Sequence, residues 1–189
     1  MIDSLVHFLP KAEKSDILGK LGGEPYILVT LHRPSNVDDK DYLSRLVNTL
    51  NRLSEKRKII FPVHPRTRKN MDEFGFSGQL SGNFILTDPL GYLDFLCLIK
   101  NADLVLTDSG GIQEETTYLG VQCITVRNNT ERPVTVDIGT NHLAGTDLNN
   151  VEETAMSILN GKLKKGGVPD LWDGKAAERI SEILIQKLN

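Results

Sequence analysis

The sequence is poor in cysteine, has no long apolar run and carries no excess of positive charge. Only two cysteines occur among its 189 residues, Cys97 and Cys123. Each lies inside a short apolar segment without the spacing of metal ligands, so we expect buried, reduced thiols and no bound metal. Reduced thiols are typical of a cytoplasmic protein.

Membrane and nucleic-acid partners are also not expected. No apolar run approaches the roughly 18 residues of a membrane span, and the first residues lack the basic start and apolar core of an export signal. The net charge of -3 and the pI of about 5.8 provide no basic field for a polyanion. With 39% hydrophobic and 25% charged residues, the composition fits one globular domain or at most two small ones.

Short apolar runs alternate with segments of helical periodicity. The runs with the length of buried strands are residues 26–31, 58–63, 83–86, 103–107 and 123–126. The helical segments are residues 2–9, 43–53, 92–101, 111–120, 151–160 and 175–188. Asp38 or Asp39 is the predicted cap of the second of these. Strands that alternate with helices predict an α/β fold with a Rossmann-like parallel sheet flanked by helices.

Polar segments follow four of the predicted strands. They read "HRPSN" at 32–36, "HPRTR" at 64–68, "DSGG" at 108–111 and "RNNTERP" at 127–133. Because ligands of parallel sheets bind beyond the carboxyl ends of the strands, these segments are expected to face one crevice. Histidine and arginine outnumber the acids there, although the whole chain is acidic, and this predicts a small anionic ligand such as phosphate.

The segment "DSGG" has the chemistry of an anion site. Glycine at positions 110 and 111 lets backbone N–H groups at a helix start approach an anion, and Ser109 adds a hydroxyl donor. Glu114 and Glu115 lie one turn further on, where a carboxylate suits the hydroxyls of a ribose. The alternative is that Asp108 or Ser109 only caps the helix. No Walker loop or G-x-G-x-x-G sequence follows a strand, so ATPase and dinucleotide sites are not indicated.

The other candidate residues each have a structural alternative. His32 and Arg33 after the first strand suit the anion site, although a lone histidine there is usually structural. His64 precedes a proline and is equally suited to shaping a turn. Tyr92 and Phe95 are predicted on a helix face or in the core, with base stacking as the less favoured role.

Two further features have simple structural interpretations. Glu131 and Arg132 in "TERP" are placed to pair across a loop. Trp172, the single tryptophan, is expected to anchor the last helix.

Five motifs together resemble a known family. In order and spacing, "VTLHRPSN", "FPVHPRT", "TDSGGIQEE", "RNNTERP" and "IGTNHLAGTD" are similar to the C-terminal half of the non-hydrolysing UDP-N-acetylglucosamine 2-epimerases, enzymes of the GT-B fold. The resemblance implies a connecting helix at 1–20, a Rossmann-like UDP-binding domain at 21–170 and a C-terminal helix at 171–189. It also implies that an N-terminal catalytic domain is missing and that the whole proteins are usually homodimers.

The resemblance assigns roles to individual residues. It implies that Ser109, Gly110 and Gly111 bind the phosphates of UDP, that Glu115 binds the ribose, and that Phe95 lies near the uracil. Arg132 and Arg33 complete the UDP site. His32 matches the catalytic histidine near the diphosphate, and His64 matches a position linked to an allosteric second UDP-N-acetylglucosamine.

The reaction implied by the resemblance needs no metal and no cofactor. UDP leaves C1 of the sugar as the proton at C2 is removed, and both return to give UDP-N-acetylmannosamine, a precursor for cell-surface polysaccharide biosynthesis. The family's proton-transferring carboxylates belong to the missing domain, so this chain alone is expected to bind but not to epimerise. The alternatives are the donor-binding domain of a GT-B glycosyltransferase and a non-catalytic UDP-sugar sensor.

Two departures from the family pattern concern the ligand-facing loops. Many relatives have Arg and Glu where this chain has Pro34 and Ser35, which puts the allosteric contacts in question. Val134 stands where Glu is common after "TERP".

Overall fold

The computed structural model describes residues 1–188, and its centre is one parallel sheet. The strands are β1 (Tyr26–Thr30), β2 (Lys58–Pro62), β3 (Phe84–Thr87), β4 (Leu104–Thr107), β5 (Cys123–Thr125) and β6 (Asn141–Leu143). Their order across the sheet is β3-β2-β1-β4-β5-β6, and every neighbouring pair is parallel. This is the doubly wound order of Rossmann folds, so the predicted fold is confirmed.

Helices cover both faces of the sheet. They are α1 (Ile2–Ala12), α2 (Ile17–Lys20), α3 (Pro34–Val37), α4 (Lys40–Ser54), α5 (Pro65–Glu73), α6 (Tyr92–Asn101), α7 (Gly110–Leu119), α8 (Pro133–Asp137), α9 (Leu148–Leu159) and α10 (Ala176–Leu188). A single 3-10 turn lies at Ser77–Gln79. Asp39 caps α4 by accepting a hydrogen bond from the backbone N–H of Tyr42, as one of the two predicted caps.

The hydrophobic core has two layers because side chains alternate along each strand. Ile27 and Val29 of β1 pack with residues of α4 and α9 on one face. Tyr26 and Leu28 pack on the other face with α6, and the Tyr26 hydroxyl donates to the Leu98 carbonyl at 2.6 Å. Both cysteines are buried free thiols, as expected.

The sequence patterns did not predict the short helices α2, α3 and α8, nor β6 and α5, and the last two were missed for clear physical reasons. β6 has only three residues, and its buried Asn141 is polar, so no apolar run marks it. α5 buries only Thr67 and Met71, which leaves no apolar stripe of helical period.

The two ends of the chain pack together away from the sheet. Leu5 of α1 is fully buried in a small cluster with Leu96. Asp3 accepts hydrogen bonds from the first backbone N–H groups of α10, and Gly174 packs directly on Val6. These contacts anchor α10 at its start. Trp172 is half-buried, and its role as an anchor stays a prediction. The division at residues 20 and 170 stays a prediction.

None of the helices described between residues 1 and 188 is long and apolar enough to cross a bilayer.

Candidate functional site

The centre of the sheet positions the candidate site. Strand order reverses between β1 and β4, and their last residues, Thr30 and Thr107, are register partners. The loops that follow these strands therefore start level with each other. In doubly wound folds the ligand crevice opens at this point. Sequence patterns placed His32 and Arg33 after one strand and residues 108–111 after the other, and the structure brings these two segments into contact.

Asp108 is the residue that joins the two segments. Its carboxylate is fully buried. Oδ2 accepts hydrogen bonds from the backbone N–H groups of His32 and Arg33 at 2.9 and 2.8 Å, and from Nδ2 of Asn36 at 3.0 Å. Oδ1 lies 2.9 Å from Nδ1 of His32. The carboxylate thus faces the loop after β1 and does not cap α7.

The surroundings shift the pKa values of this pair in opposite directions. Burial alone would raise the pKa of Asp108, but hydrogen bonds from His32, Arg33 and Asn36 outweigh it and hold the pKa below its ordinary value. The hydrogen bond to Asp108 raises the pKa of His32, against the effect of partial burial. The pair therefore favours a carboxylate beside an imidazolium.

The start of α7 is accessible at Gly110, whereas the Met1 side chain lies over Gly111, where an added Cβ would come 2.7 Å from its Cε. Ser109 occupies the N-cap position, but its side chain makes no capping hydrogen bond, and residues 109–111 are half-buried. The first N–H groups of a helix have no intrahelical partner and attract anions. A Cβ on Gly110 would have Oε2 of Glu131, 3.8 Å away, as its nearest neighbour, which is ordinary contact. Packing does not require glycine at position 110, so the space beside its Cα is free of close protein contacts.

Glu115 is a second buried carboxylate at this site. Its side chain is 2% exposed, and Oε1 accepts a hydrogen bond from the Tyr92 hydroxyl at 2.9 Å. Burial raises the pKa of Glu115, against the effect of the Tyr92 hydrogen bond. Tyr92, predicted on a helix face or in the core, is therefore at the site. Phe95, one turn further along α6, is half-buried against the core.

Arg132 approaches the glycine turn from the "TERP" loop. Its Nε donates to Oε1 of Glu114 at 2.8 Å, and its Cζ would lie 4.0 Å from a Cβ on Gly110. Glu131 instead accepts two hydrogen bonds from Arg127, which lower the pKa of Glu131 to about 2. The predicted Glu131–Arg132 pair is therefore wrong: the paired side chains are Arg132 with Glu114 and Arg127 with Glu131.

A buried polar network holds the "TERP" loop. Oε1 of Gln113 accepts hydrogen bonds from Thr130 at 2.6 Å and from Asn141 at 3.3 Å. Asn141 also bonds to Thr125 and Thr135. The sequence patterns did not identify Gln113 or Asn141, because each stands in a largely polar or small-residue stretch, "GGIQEETT" and "GTNHL", where nothing marks a buried polar side chain.

His64 lies beside His32 on the neighbouring strand. The two rings are 5.6 Å apart between centroids. His64 caps α5, because its Nδ1 accepts the N–H of Arg66 at 3.2 Å. Arg66 forms a bidentate pair with Asp38, and Arg68 donates to the Thr87 carbonyl. The cations of "HPRTR" are thus largely engaged with neighbouring loops.

Residues 1–188 contain no group of three or more His, Cys, Asp or Glu side chains arranged to hold a metal ion. The chemistry that this geometry offers is hydrogen-bond donation to an anion, from amides, His32 and arginines. Beside these donors lie two carboxylates with acceptor capacity: Glu115, whose Oε1 accepts from the Tyr92 hydroxyl, and Glu114, whose buried Oε2 has no hydrogen-bond partner among the described residues.

Comparison with known proteins decides the family. A family model described as UDP-N-acetylglucosamine 2-epimerase matches residues 1–185. The chain belongs to the UDP-N-acetylglucosamine 2-epimerase family. A UDP-N-acetylglucosamine 2-epimerase of Methanococcus maripaludis is 46% identical over 168 residues, which cover 84% of this chain and 46% of that protein. Family membership removes the basis for the glycosyltransferase alternative.

Further relatives include a solved structure with the same fold and a protein named for a different substrate. The crystal structure of Methanocaldococcus jannaschii UDP-GlcNAc 2-epimerase in complex with UDP-GlcNAc and UDP matches with a TM-score of 0.85 and 40% identity, over 98% of this chain and 52% of that one. A UDP-2,3-diacetamido-2,3-dideoxy-D-glucuronate 2-epimerase of Pseudomonas aeruginosa is 34% identical over 97% of this chain and 50% of that protein. The chain spans about half the length of the curated relatives it matches.

Proposed function

We propose that this chain is the UDP-sugar-binding half of a UDP-N-acetylglucosamine 2-epimerase. The observation that carries the proposal is the open start of α7 at the strand-order reversal, with the buried Glu115 beside it. Unpaired N–H groups suit a diphosphate, and an under-satisfied carboxylate suits the two hydroxyls of a ribose.

In this proposal, three groups of residues contact the three parts of UDP. The amides of Gly110 and Gly111 and the Ser109 hydroxyl bind the diphosphate, with His32, Arg33 and Arg132 around it. Glu115 accepts hydrogen bonds from the ribose. The uracil lies near Phe95, toward an apolar recess of about 450 Å³ that Phe8, Gly91, Tyr92, Leu93 and Asp94 line. His64 remains a candidate allosteric residue.

The proposed reaction is an elimination followed by re-addition. A base takes the proton from C2, the C–H electrons form a C1–C2 double bond, and the C1–O bond breaks with its electron pair going to UDP. UDP and a proton then return, the proton on the opposite face of C2. This chain contributes donors, His32 foremost, that stabilise the negative charge on the departing diphosphate.

The proton-transferring carboxylates lie, in this proposal, in an N-terminal domain outside the chain. The chain therefore binds nucleotide without epimerising it, and the whole protein is a homodimer. Buried free thiols fit a cytoplasmic location. Because relatives carry names with different sugars, we assign UDP to this half and leave sugar selection to the cleft that the two halves form.

Titration calorimetry with UDP tests the nucleotide site. Wild type is expected to bind at millimolar or lower concentration. Gly110→Ala should weaken binding by at least about tenfold, because the new methyl occupies the ligand's space without a clash inside the protein. Gly19→Ala is the control, since its added Cβ has nothing within 4 Å and, like that of Gly110→Ala, meets no clash inside the protein. Equal UDP affinity in Gly110→Ala and wild type would contradict the site.

A coupled assay for UDP-N-acetylmannosamine tests whether this chain binds nucleotide without epimerising it. The isolated chain should stay at background even where calorimetry shows saturation with UDP-N-acetylglucosamine. Turnover above background would place the acid and base groups within this chain.

A further inference from the structure

The carboxylate of Asp108 restricts where the proton of the His32 ring can sit. Oδ1 of Asp108 is buried, lies 2.9 Å from Nδ1 of His32 as an ion pair and has no hydrogen-bond partner among the other described residues. An ionised carboxylate can only accept a hydrogen bond and would repel an unprotonated Nδ1, so this contact favours a proton on Nδ1. Oδ2 is already occupied by donors from His32, Arg33 and Asn36. The carboxylate therefore cannot turn away from the ring without leaving these buried donors unpaired.

The neighbouring His64 has the opposite arrangement. Its Nδ1 accepts the backbone N–H of Arg66 at 3.2 Å, so in the neutral ring the proton sits on Nε2. Two imidazoles whose centroids are 5.6 Å apart thus carry different tautomers for different local reasons.

We propose that Asp108 is a positioning residue of the site, which holds the proton of His32 on Nδ1 and favours the doubly protonated ring, so that Nε2–H donates to a ligand diphosphate. The identity of the ligand rests on the proposed function, whereas the tautomer does not. His32 is 39% exposed, so its ring can meet a ligand, while Asp108 touches only the protein.

The groups facing His32 come from three elements. Asp108 follows β4 and stabilises the imidazolium. Arg33, adjacent in the loop after β1, opposes the second proton. His64 at the start of α5 faces the ring at 5.6 Å between centroids, and Asn36 is uncharged. The close carboxylate outweighs the arginine, whose Nε is engaged with the Asp108 carbonyl at 3.1 Å.

Long-range ¹H–¹⁵N correlation spectra of the full chain test the tautomers directly, without ligand or mutation. The sequence has four histidines, so the rings can be assigned with single His→Gln variants. We expect protonated Nδ1 in His32, protonated Nε2 in neutral His64, and titration of His32 at a higher pH than in the urea-unfolded chain. A neutral His32 with its proton on Nε2, or an unshifted titration, would overturn the proposal.

Asp108→Asn tests the role in binding. The variant should lower the pH at which His32 titrates and reduce UDP affinity about tenfold at pH 7, the effect of losing one charge-assisted hydrogen bond. Asp38→Asn, which removes the partner of Arg66, is the matched control and should leave the His32 titration unchanged.

The pH dependence separates this inference from the proposed function. Wild-type UDP affinity should fall as pH rises through the titration of His32. UDP binding that does not change over this range would overturn the role of His32 while supporting the nucleotide site. Absence of UDP binding would contradict the nucleotide site, and the ¹⁵N spectra would still decide the tautomer. If Asp108→Asn fails to fold, the wild-type spectra and pH profile remain the test.

Discussion

Asp108 and Glu115 stand on either side of the same glycine pair, and both are almost fully buried. Their hydrogen bonding differs. Asp108 is surrounded by donors from the loop after β1, which hold its pKa down against the effect of burial. Glu115 has the Tyr92 hydroxyl as its hydrogen-bond partner, and its pKa is raised. A carboxylate that holds several donors of the protein supports the structure, whereas one with a single donor retains capacity for a ligand.

The largest effect on stability should come from removing the carboxylate of Asp108, which holds several buried donors. Asp108→Ala leaves several buried donors unpaired and should lower the free energy of unfolding by about 3 kcal/mol, measured by urea denaturation. Asp103→Ala, at the other end of β4, breaks only an exposed pair with Arg57 and should cost less than about 1 kcal/mol. Similar losses of unfolding free energy in Asp108→Ala and Asp103→Ala would contradict a structural role for the Asp108 hydrogen bonds.

Substitution of Glu115, unlike that of Asp108, should affect UDP binding more than the free energy of unfolding. Glu115→Gln retains an acceptor for Tyr92 but loses the charge, so we expect UDP binding to weaken by about 1–3 kcal/mol in calorimetry, with unfolding free energy changed by less. Glu182→Gln, exposed on α10, serves as the control. A variant that unfolds readily but binds UDP normally would assign Glu115 to the structure.

Ser109→Ala tests the same distinction between binding and stability, with a smaller expected change in UDP affinity. The hydroxyl makes no capping bond, so stability should be unchanged while UDP binding weakens by about 1 kcal/mol. Asp147, whose side chain caps α9, gives the opposite pattern: Asp147→Ala should lose about 1 kcal/mol of stability and keep its UDP affinity. Calorimetry and urea denaturation of both variants provide the check.

The smallest effect concerns the pH dependence of stability. Because the folded-state pKa of Glu115 is raised, ionisation of this residue costs stability at neutral pH, and the cost disappears as pH falls toward the ordinary value of 4.5. Asp108 acts oppositely, since its lowered pKa contributes stability that is lost as pH falls from 3.8 through the folded-state pKa. Urea denaturation at pH 7 and 4.5 should show a gain in wild type, relative to Glu115→Gln, at the lower pH; no difference would contradict the raised pKa.

Much of this fold follows from local pattern. The apolar runs of β1, β2, β4 and β5 are continuous because these strands are covered on both faces, and that property is visible in sequence. β6 and α5 lacked such a signal, because their buried residues are few and partly polar.

The site was only partly accessible from the sequence. Strand ends indicate which residues share an edge, so Ser109, Gly110 and Arg33 could be named as candidates. The hydrogen bond from Asn36 to Asp108, or from Tyr92 to Glu115, depends on how distant segments lie in space, and no periodicity encodes it. Motif resemblance supplied roles but did not identify these partners.

The bonds from the backbone of His32 and Arg33 to Asp108 span 76 and 75 positions of the chain. A refolding molecule can make these bonds only after its two central strands, β1 and β4, have paired. We therefore expect UDP binding to appear late in refolding, when the last amides become protected from hydrogen exchange. For the same reason, a peptide that contains only one of the two loops would have the motif sequence but would lack the hydrogen bonds that shape the site.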